Sequence, residues 1–179
     1  MMNPEIQIID DVLPQTYADE IENALLKDIC PWFFIEDVTF SDKSNNQKSP
    51  AFTHLLLSDG KPSGYFDLTR IIPHIALEKI NRPANLFQFI KARAFLQLPL
   101  SNAGRNNIHT DYPMPHTVCL YYVNDSDGDT VLFDNDQKTV IQSVTPKKNR
   151  AVIFNGLIPH CSTVPTLDKR CVINFDITL

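Results

Sequence analysis

Glycine is scarce in this chain, five residues in 179, while proline is plentiful at 13. So little glycine argues against a flexible linker, and the prolines point to short elements with stiff connections. No apolar stretch approaches the roughly 18 residues a membrane span needs; the run over 71–77 is interrupted by Pro73 and His74. Met1-Met2-Asn3-Pro4-Glu5 lacks the basic region and apolar run of a signal peptide, so a cytoplasmic location is expected. There is no Cys-x-x-Cys. The four cysteines stand apart, and Cys119, Cys161 and Cys171 lie in apolar, strand-like surroundings, where a free thiol behaves as a small hydrophobe. Reduced thiols are therefore expected, Cys30 included. An excess of positive charge is missing too. Lys plus Arg is 16 against 21 for Asp plus Glu, a formal charge of −5, which argues against nucleic acid as a partner.

What is present reads as a globular chain, 43% hydrophobic and 21% charged. A length of 179 residues predicts about one domain, and no internal repeat or low-complexity tract divides it. Residues 16–26 form an amphipathic helix, with Tyr17, Ile21, Ala24 and Leu25 at helical spacing. A second helix is expected over 67–80, capped by Asp67 and bent at Pro73. Short strands are expected at 6–9 and 32–35, and the polar stretch 41–50 reads as an exposed loop. From residue 87 only strands are expected: 87–98, 117–123, 130–133, 140–144, 150–154 and 171–177. Helices followed by a run of short strands point to an α+β fold with a β-sandwich or barrel core.

The last strand has two unlike faces. Cys171, Ile173, Phe175 and Ile177 share an apolar one, while Arg170, Val172, Asn174 and Asp176 share the other. Polar groups facing the interior of a small barrel need partners, and a ligand is one.

His109-Thr110-Asp111 is a His-x-Asp pair. In extended backbone, positions two apart project to one side, so imidazole and carboxylate can grip one ion. His160 follows in Ile158-Pro159-His160-Cys161-Ser162, after the strand at 150–154. Two imidazoles and a carboxylate suit the facial triad that holds non-haem Fe(II) and leaves positions open. Arg170, at the start of the last strand, can grip a carboxylate in two-pronged fashion. Arg93 and Arg150 are rival cations but lack this placement after His160.

These residues resemble a known family, the Fe(II)- and 2-oxoglutarate-dependent oxygenases, in particular their prolyl-4-hydroxylase-like branch. The resemblance spans about 89–176 and rests on five stretches: His109-Thr110-Asp111-Tyr112; the strand from Thr117 to Asn124; Gly128-Asp129-Thr130, a shortened Gly-Gly-x-Thr turn; the approach from Val144 to Arg150; and His160 to Arg170 with the strand after it. It implies a double-stranded β-helix (jelly-roll) core over 87–179, with 1–86 as helical support and substrate entrance. It also implies Fe(II) held by His109, Asp111 and His160, and 2-oxoglutarate paired through its distal carboxylate with Arg170. Tyr122 matches a tyrosine that gives its hydroxyl to that carboxylate in some members. The implied chemistry couples dioxygen and decarboxylation of 2-oxoglutarate to succinate with oxidation of a small-molecule or peptide substrate, hydroxylation being the default outcome. Asp111, where halogenating relatives carry a small residue, favours oxygenation.

The chain departs from the pattern in its loops. Tyr112 to His116 is short and proline-rich, and Asn149 and Asp168 replace frequent glycines, both types accepting left-handed geometry. His54 and His74 lie outside the pattern and read as surface or helix-face residues, and His116 reads as a loop histidine. Cys161 would alternate away from His160, and only one of Tyr121 and Tyr122 can face the interior. A peptidyl or free proline is the leading substrate class, and 41–50 with 60–65 are candidates for the entrance. Two alternatives remain: a cupin-like metalloprotein with non-oxygenase chemistry, which needs no Arg170, and a jelly-roll binding module without catalysis, which needs no triad.

Overall fold

The structure is a computed structural model and describes residues 6–27, 29–39, 49–101 and 104–178. Strand β1 (Gln7–Ile9) leads into helix α1 (Gln15–Leu26), then β2 (Phe33–Ile35), β3 (Ala51–Ser58) and β4 (Lys61–Pro62). Helices α2 (Phe66–Thr69) and α3 (Ile71–Lys79) precede the long strand β5 (Gln88–Gln97). The rest is strand: β6 (Thr117–Tyr122), β7 (Thr130–Phe133), β8 (Val140–Val144), β9 (Arg150–Asn155), β10 (His160–Ser162) and β11 (Arg170–Thr178). They form two antiparallel sheets of a jelly roll. The larger runs β1-β9-β6-β11-β5-β3-β2 with β4 beside β3, and the smaller runs β10-β7-β8.

Period-two alternation along β11 decides how the layers stack. Cys171, Ile173, Phe175 and Ile177 turn to the outer face, where they pack with Ile21 and Leu25 of α1 and Ile72, Ala76 and Leu77 of α3. The opposite face packs Val172 with Val118, Leu120, Tyr122, Val152 and Phe154 of the large sheet and with Leu132 and Val144 of the small one. Tyr121 and Tyr122 accordingly fall into different cores, and both are fully buried. Burial of an aliphatic side chain contributes about 1.5–3 kcal/mol, so the outer core fixes β11 and with it the inner face.

The helices differ from expectation in detail. The chain breaks at Arg70 and not at Pro73, which sits in the first turn of α3, where its missing N–H leaves no bond unmade. Asp67 is no cap; it lies in the first turn of α2, 3.2 Å from Arg70. His54 is a buried strand residue, its ring nitrogens 2.9 Å from the Pro31 carbonyl and 3.0 Å from Ser63 Oγ. His74 does lie on a helix face, against Phe87. Asn149 has φ of 66° and so takes the left-handed geometry, whereas Asp168 does not. The Asn149 side chain also ties the connection between β1 and α1 to the core, accepting from Leu13 N (2.9 Å) and donating to Leu13 O (2.8 Å). All four cysteines are free thiols. Among the described residues, no helix is long and apolar enough to cross a membrane.

Candidate active site

His109 and His160 face each other in an isolated antiparallel bridge, exchanging backbone hydrogen bonds of 3.0 and 2.9 Å. Residues so paired carry their side chains to one side, and the two rings stand 4.7 Å apart. Asp111, two residues past His109, reaches the same point. Its Oδ1 lies 3.9 Å from His109 Nε2 and its Oδ2 3.5 Å from His160 Nε2. Each of the three offers a ligand atom within 4.8 Å of the others.

Backbone carbonyls set the rings. His109 Nδ1 lies 3.0 Å from the Asn107 carbonyl, and His160 Nδ1 lies 2.9 Å from that of Ile158. A carbonyl only accepts, so both Nδ1 atoms carry hydrogen and both Nε2 atoms turn toward Asp111. Burial alone would raise the Asp111 pKa. The hydrogen bond and charge of His160, the charge of His109 and the Asn174 amide instead hold it at about 2. Burial would lower His160, but the Asp111 carboxylate raises it; burial, with the His160 charge, lowers His109. An ionised carboxylate between two imidazoles is a donor set for a cation, which takes the place of the proton on His160 Nε2.

The three residues open onto a cavity of about 230 Å³ between the sheets. Val118, Leu120, Phe154 and Val172 make its apolar wall, and Arg170 also lines it. Arg170 is 4% exposed, and its Nε donates to the Gly128 carbonyl (2.8 Å) and Nη2 to Thr130 Oγ1 (2.9 Å). Both partners are neutral oxygens, and among the described residues no carboxylate forms an ion pair with this guanidinium. A buried cation in that state is poised for an anionic ligand. Gly128 keeps the space, for a Cβ there would lie 2.9 Å from Arg170 Cδ.

Of the residues expected here, His109, Asp111, His160 and Arg170 share the cavity, whereas Tyr122 stands behind its lining. The Tyr122 hydroxyl donates to Thr130 Oγ1 (2.8 Å). Thr130 thus accepts from both Tyr122 and Arg170, leaving its own hydroxyl hydrogen for a ligand. Arg150 is remote, bound to Asp10 at 2.6 and 3.1 Å. Arg93, the other rival, lines the same cavity. Cys161 packs with Val131 and Phe133 and is not part of the donor set. Val38 and Thr39 line the cavity, none of 60–65 does, and residues 41–48 of the expected entrance loop lie outside the described residues.

Sequence reasoning understated the far end of β11. Asn174 Nδ2 lies 3.3 Å from Asp111 Oδ2 and 3.4 Å from Asp176 Oδ1, bridging the two carboxyl groups. Asp176 is 3% exposed; burial and the Asp111 charge push its pKa up to about 8. His116 lies in the loop before β6, as expected, but it is not exposed there. Its side chain is fully buried, with Nε2 3.9 Å from Asp176 Oδ1. It fits because residue 156 is glycine: a Cβ there would lie 2.0 Å from His116 Nε2. The alternation of polar residues along β11 was the available signal for Asn174 and Asp176; none marks His116.

No protein-family model and no curated protein matches the sequence. Solved structures do match. An oxidoreductase of the 2OG-Fe(II) oxygenase family from Burkholderia pseudomallei superposes with a TM-score of 0.70 at 8% identity, covering 97% of this chain and 84% of that one. A prolyl hydroxylase from Trichoplax adhaerens, in complex with a hypoxia inducible factor peptide fragment, gives 0.68 at 16%, covering 99% and 84%. The non-heme alpha ketoglutarate dependent epimerase SnoN from nogalamycin biosynthesis gives 0.67 at 11%, covering 98% and 79%. The chain has the fold of the 2OG-Fe(II) oxygenases. That fold carries both hydroxylases and an epimerase, so the reaction of this 2OG-oxygenase-fold protein is argued from its own residues.

Proposed function

We propose that the chain is an Fe(II)- and 2-oxoglutarate-dependent dioxygenase that hydroxylates its substrate. One observation carries the reading: three residues that could hold a metal ion and a buried arginine with no carboxylate partner among the described residues line the same cavity. His109, Asp111 and His160 would hold Fe(II), their Nε2 and carboxylate atoms already facing one another. Arg170 would pair with the distal carboxylate of 2-oxoglutarate, with Thr130 donating to it and Tyr122 holding Thr130 in place. Iron and 2-oxoglutarate together supply dioxygen activation coupled to decarboxylation to succinate. The apolar wall of Val118, Leu120, Phe154 and Val172 keeps water from the space between the two anchors.

In this reading 1–179 act as one catalytic unit, 87–179 carrying the site and 1–86 the supporting helices and entrance. The four free thiols support a reducing, cytoplasmic setting. A peptidyl or free proline is the first substrate class to try, because the fold relatives include a prolyl hydroxylase with a bound peptide. The test is succinate formation from 2-oxoglutarate. It is expected to require Fe(II) and to fall to background in His109→Ala, and an accepted substrate gains one oxygen atom by mass spectrometry. Metal-dependent turnover of a substrate without 2-oxoglutarate would favour cupin-like chemistry. A protein that binds both ligands and never forms succinate would be a binding module.

A further inference from the structure

The cavity wall holds a second set of donors that overlaps the first only at Asp111. Asp111, His116 and Asp176 each offer a ligand atom within 4.8 Å of the others. Asp111 and Asp176 line the cavity, and His116, whose side chain is fully buried, stands behind its lining. His116 Nε2 lies 3.9 Å from Asp176 Oδ1, a separation that two ligands about 2.1 Å from one ion can span.

The third imidazole is prepared as the other two are. His116 Nδ1 lies 2.8 Å from the Met114 carbonyl, two residues back, just as His109 and His160 lie against those of Asn107 and Ile158. Its Nδ1 therefore carries the hydrogen and its Nε2 the lone pair, the arrangement metal-binding histidines share. Among the described residues that buried Nε2 has no hydrogen-bond partner. Gly156 does not block it. A Cβ at residue 156 would lie 2.0 Å from Nε2 and 2.3 Å from both Cδ2 and Cε1, which is over the ring face and not in the plane of the lone pair. A second orphan belongs to Asn174. Its Nδ2 contacts Asp111 and Asp176, while its buried Oδ1 has no partner among the described residues. A half-turn of the amide would present that oxygen to the carboxylates.

The field at this end does not choose the ligand. Lys91 and Arg93 stand opposite Asp176 and Asn174 in the register of β5 and β11, and Asp37 and Asp59 act on His109 and Tyr112 nearby. The donors do choose it, because buried lone pairs gathered this closely repel unless something positive lies among them. A proton serves only the His116–Asp176 pair, and 3.9 Å is too long for it to bridge. A metal ion serves all three residues.

We infer that Asp111, His116 and Asp176 hold a second divalent transition-metal ion, with Asp111 bridging it to the proposed iron site. One imidazole with two carboxylates suits Mn(II), Fe(II) or Zn(II). The inference goes beyond the oxygenase reading, and its test separates the two.

Metal-free chain is loaded with Mn(II) alone, bound ion is counted by equilibrium dialysis, and the electron paramagnetic resonance spectrum is recorded. Two ions per chain are expected. Ions sharing a carboxylate lie about 3.5–4 Å apart, close enough for their spins to couple, so the native chain is expected to lose the six-line signal of isolated Mn(II). His116→Gln and Asp176→Asn are each expected to lower the count from two to one and to restore the six lines, the ion that stays showing that the chain is folded. A count that neither variant lowers, or two bound ions without coupling, overturns the inference. His109→Ala reports on the first donor set. A count that it does not lower counts against the oxygenase reading instead.

Discussion

At the scale of single residues, the site depends on groups that fix other groups. Gly128 is one of them. A Cβ there would meet Arg170 Cδ at 2.9 Å and the Thr163 carbonyl at 3.0 Å, so Gly128→Ala must push the guanidinium from its place. Overpacking of this kind costs about 1–3 kcal/mol. The expected outcome is a raised KM for 2-oxoglutarate with a smaller change in kcat, measured by succinate release. Asp176 makes a different prediction. Its folded pKa of about 8 lies above the roughly 3.9 of an unfolded aspartate. Between those values the folded chain keeps a proton the unfolded chain gives up. Stability from this group is therefore fully present below about pH 4 and is lost as pH rises toward 8, by up to about 1.4 kcal/mol per pH unit. Urea midpoints at pH 5 and pH 8 in a chelator should differ in the native sequence and converge in Asp176→Asn.

At the scale of elements, much of the fold is legible in the sequence. Strands β7 and β8 fall on the expected residues, and β5, β6, β9, β11 and α1 lie within one or two positions of them. Period two along β11 separated the apolar outer face from the polar inner one, and that division holds in the packing. Strand β3 was not legible, and the reason is physical. Its pairing with β5 slips between Leu55 and Leu57, so burial does not alternate along Ala51–Ser58. Strand β10, three residues long, carries no periodicity at all; His160 was legible only through its chemistry and its distance from Asp111. The triad was legible because a His-x-Asp pair needs only local extended geometry. His116 was not, because its burial depends on Gly156, 40 positions on, at the end of β9. Gly156→Ala is therefore expected to destabilise the chain by at least about 1–3 kcal/mol. His116→Ala in the same chain should recover part of that loss, a non-additivity that a double-mutant cycle on thermal unfolding measures.

At the scale of the whole molecule, function follows from an unequal sandwich. The larger sheet is backed by α1 and α3, which press on its outer face and make it a rigid wall. Its inner face is met by only three strands, and the space left between the sheets is the cavity. The proposed metal donors come from the loop before β6 and from β10, while Arg170 comes from the opposite wall at the start of β11. Both sheets must be assembled before these groups share one space. In the proposed function Arg170 is the anchor for 2-oxoglutarate in that space. Succinate formation measured against 2-oxoglutarate concentration at saturating Fe(II) tests it most directly. Losing charge-assisted hydrogen bonds of about 1.5–3 kcal/mol predicts a KM roughly 10- to 150-fold higher in Arg170→Ala. An unchanged KM in that variant would rule Arg170 out as the anchor.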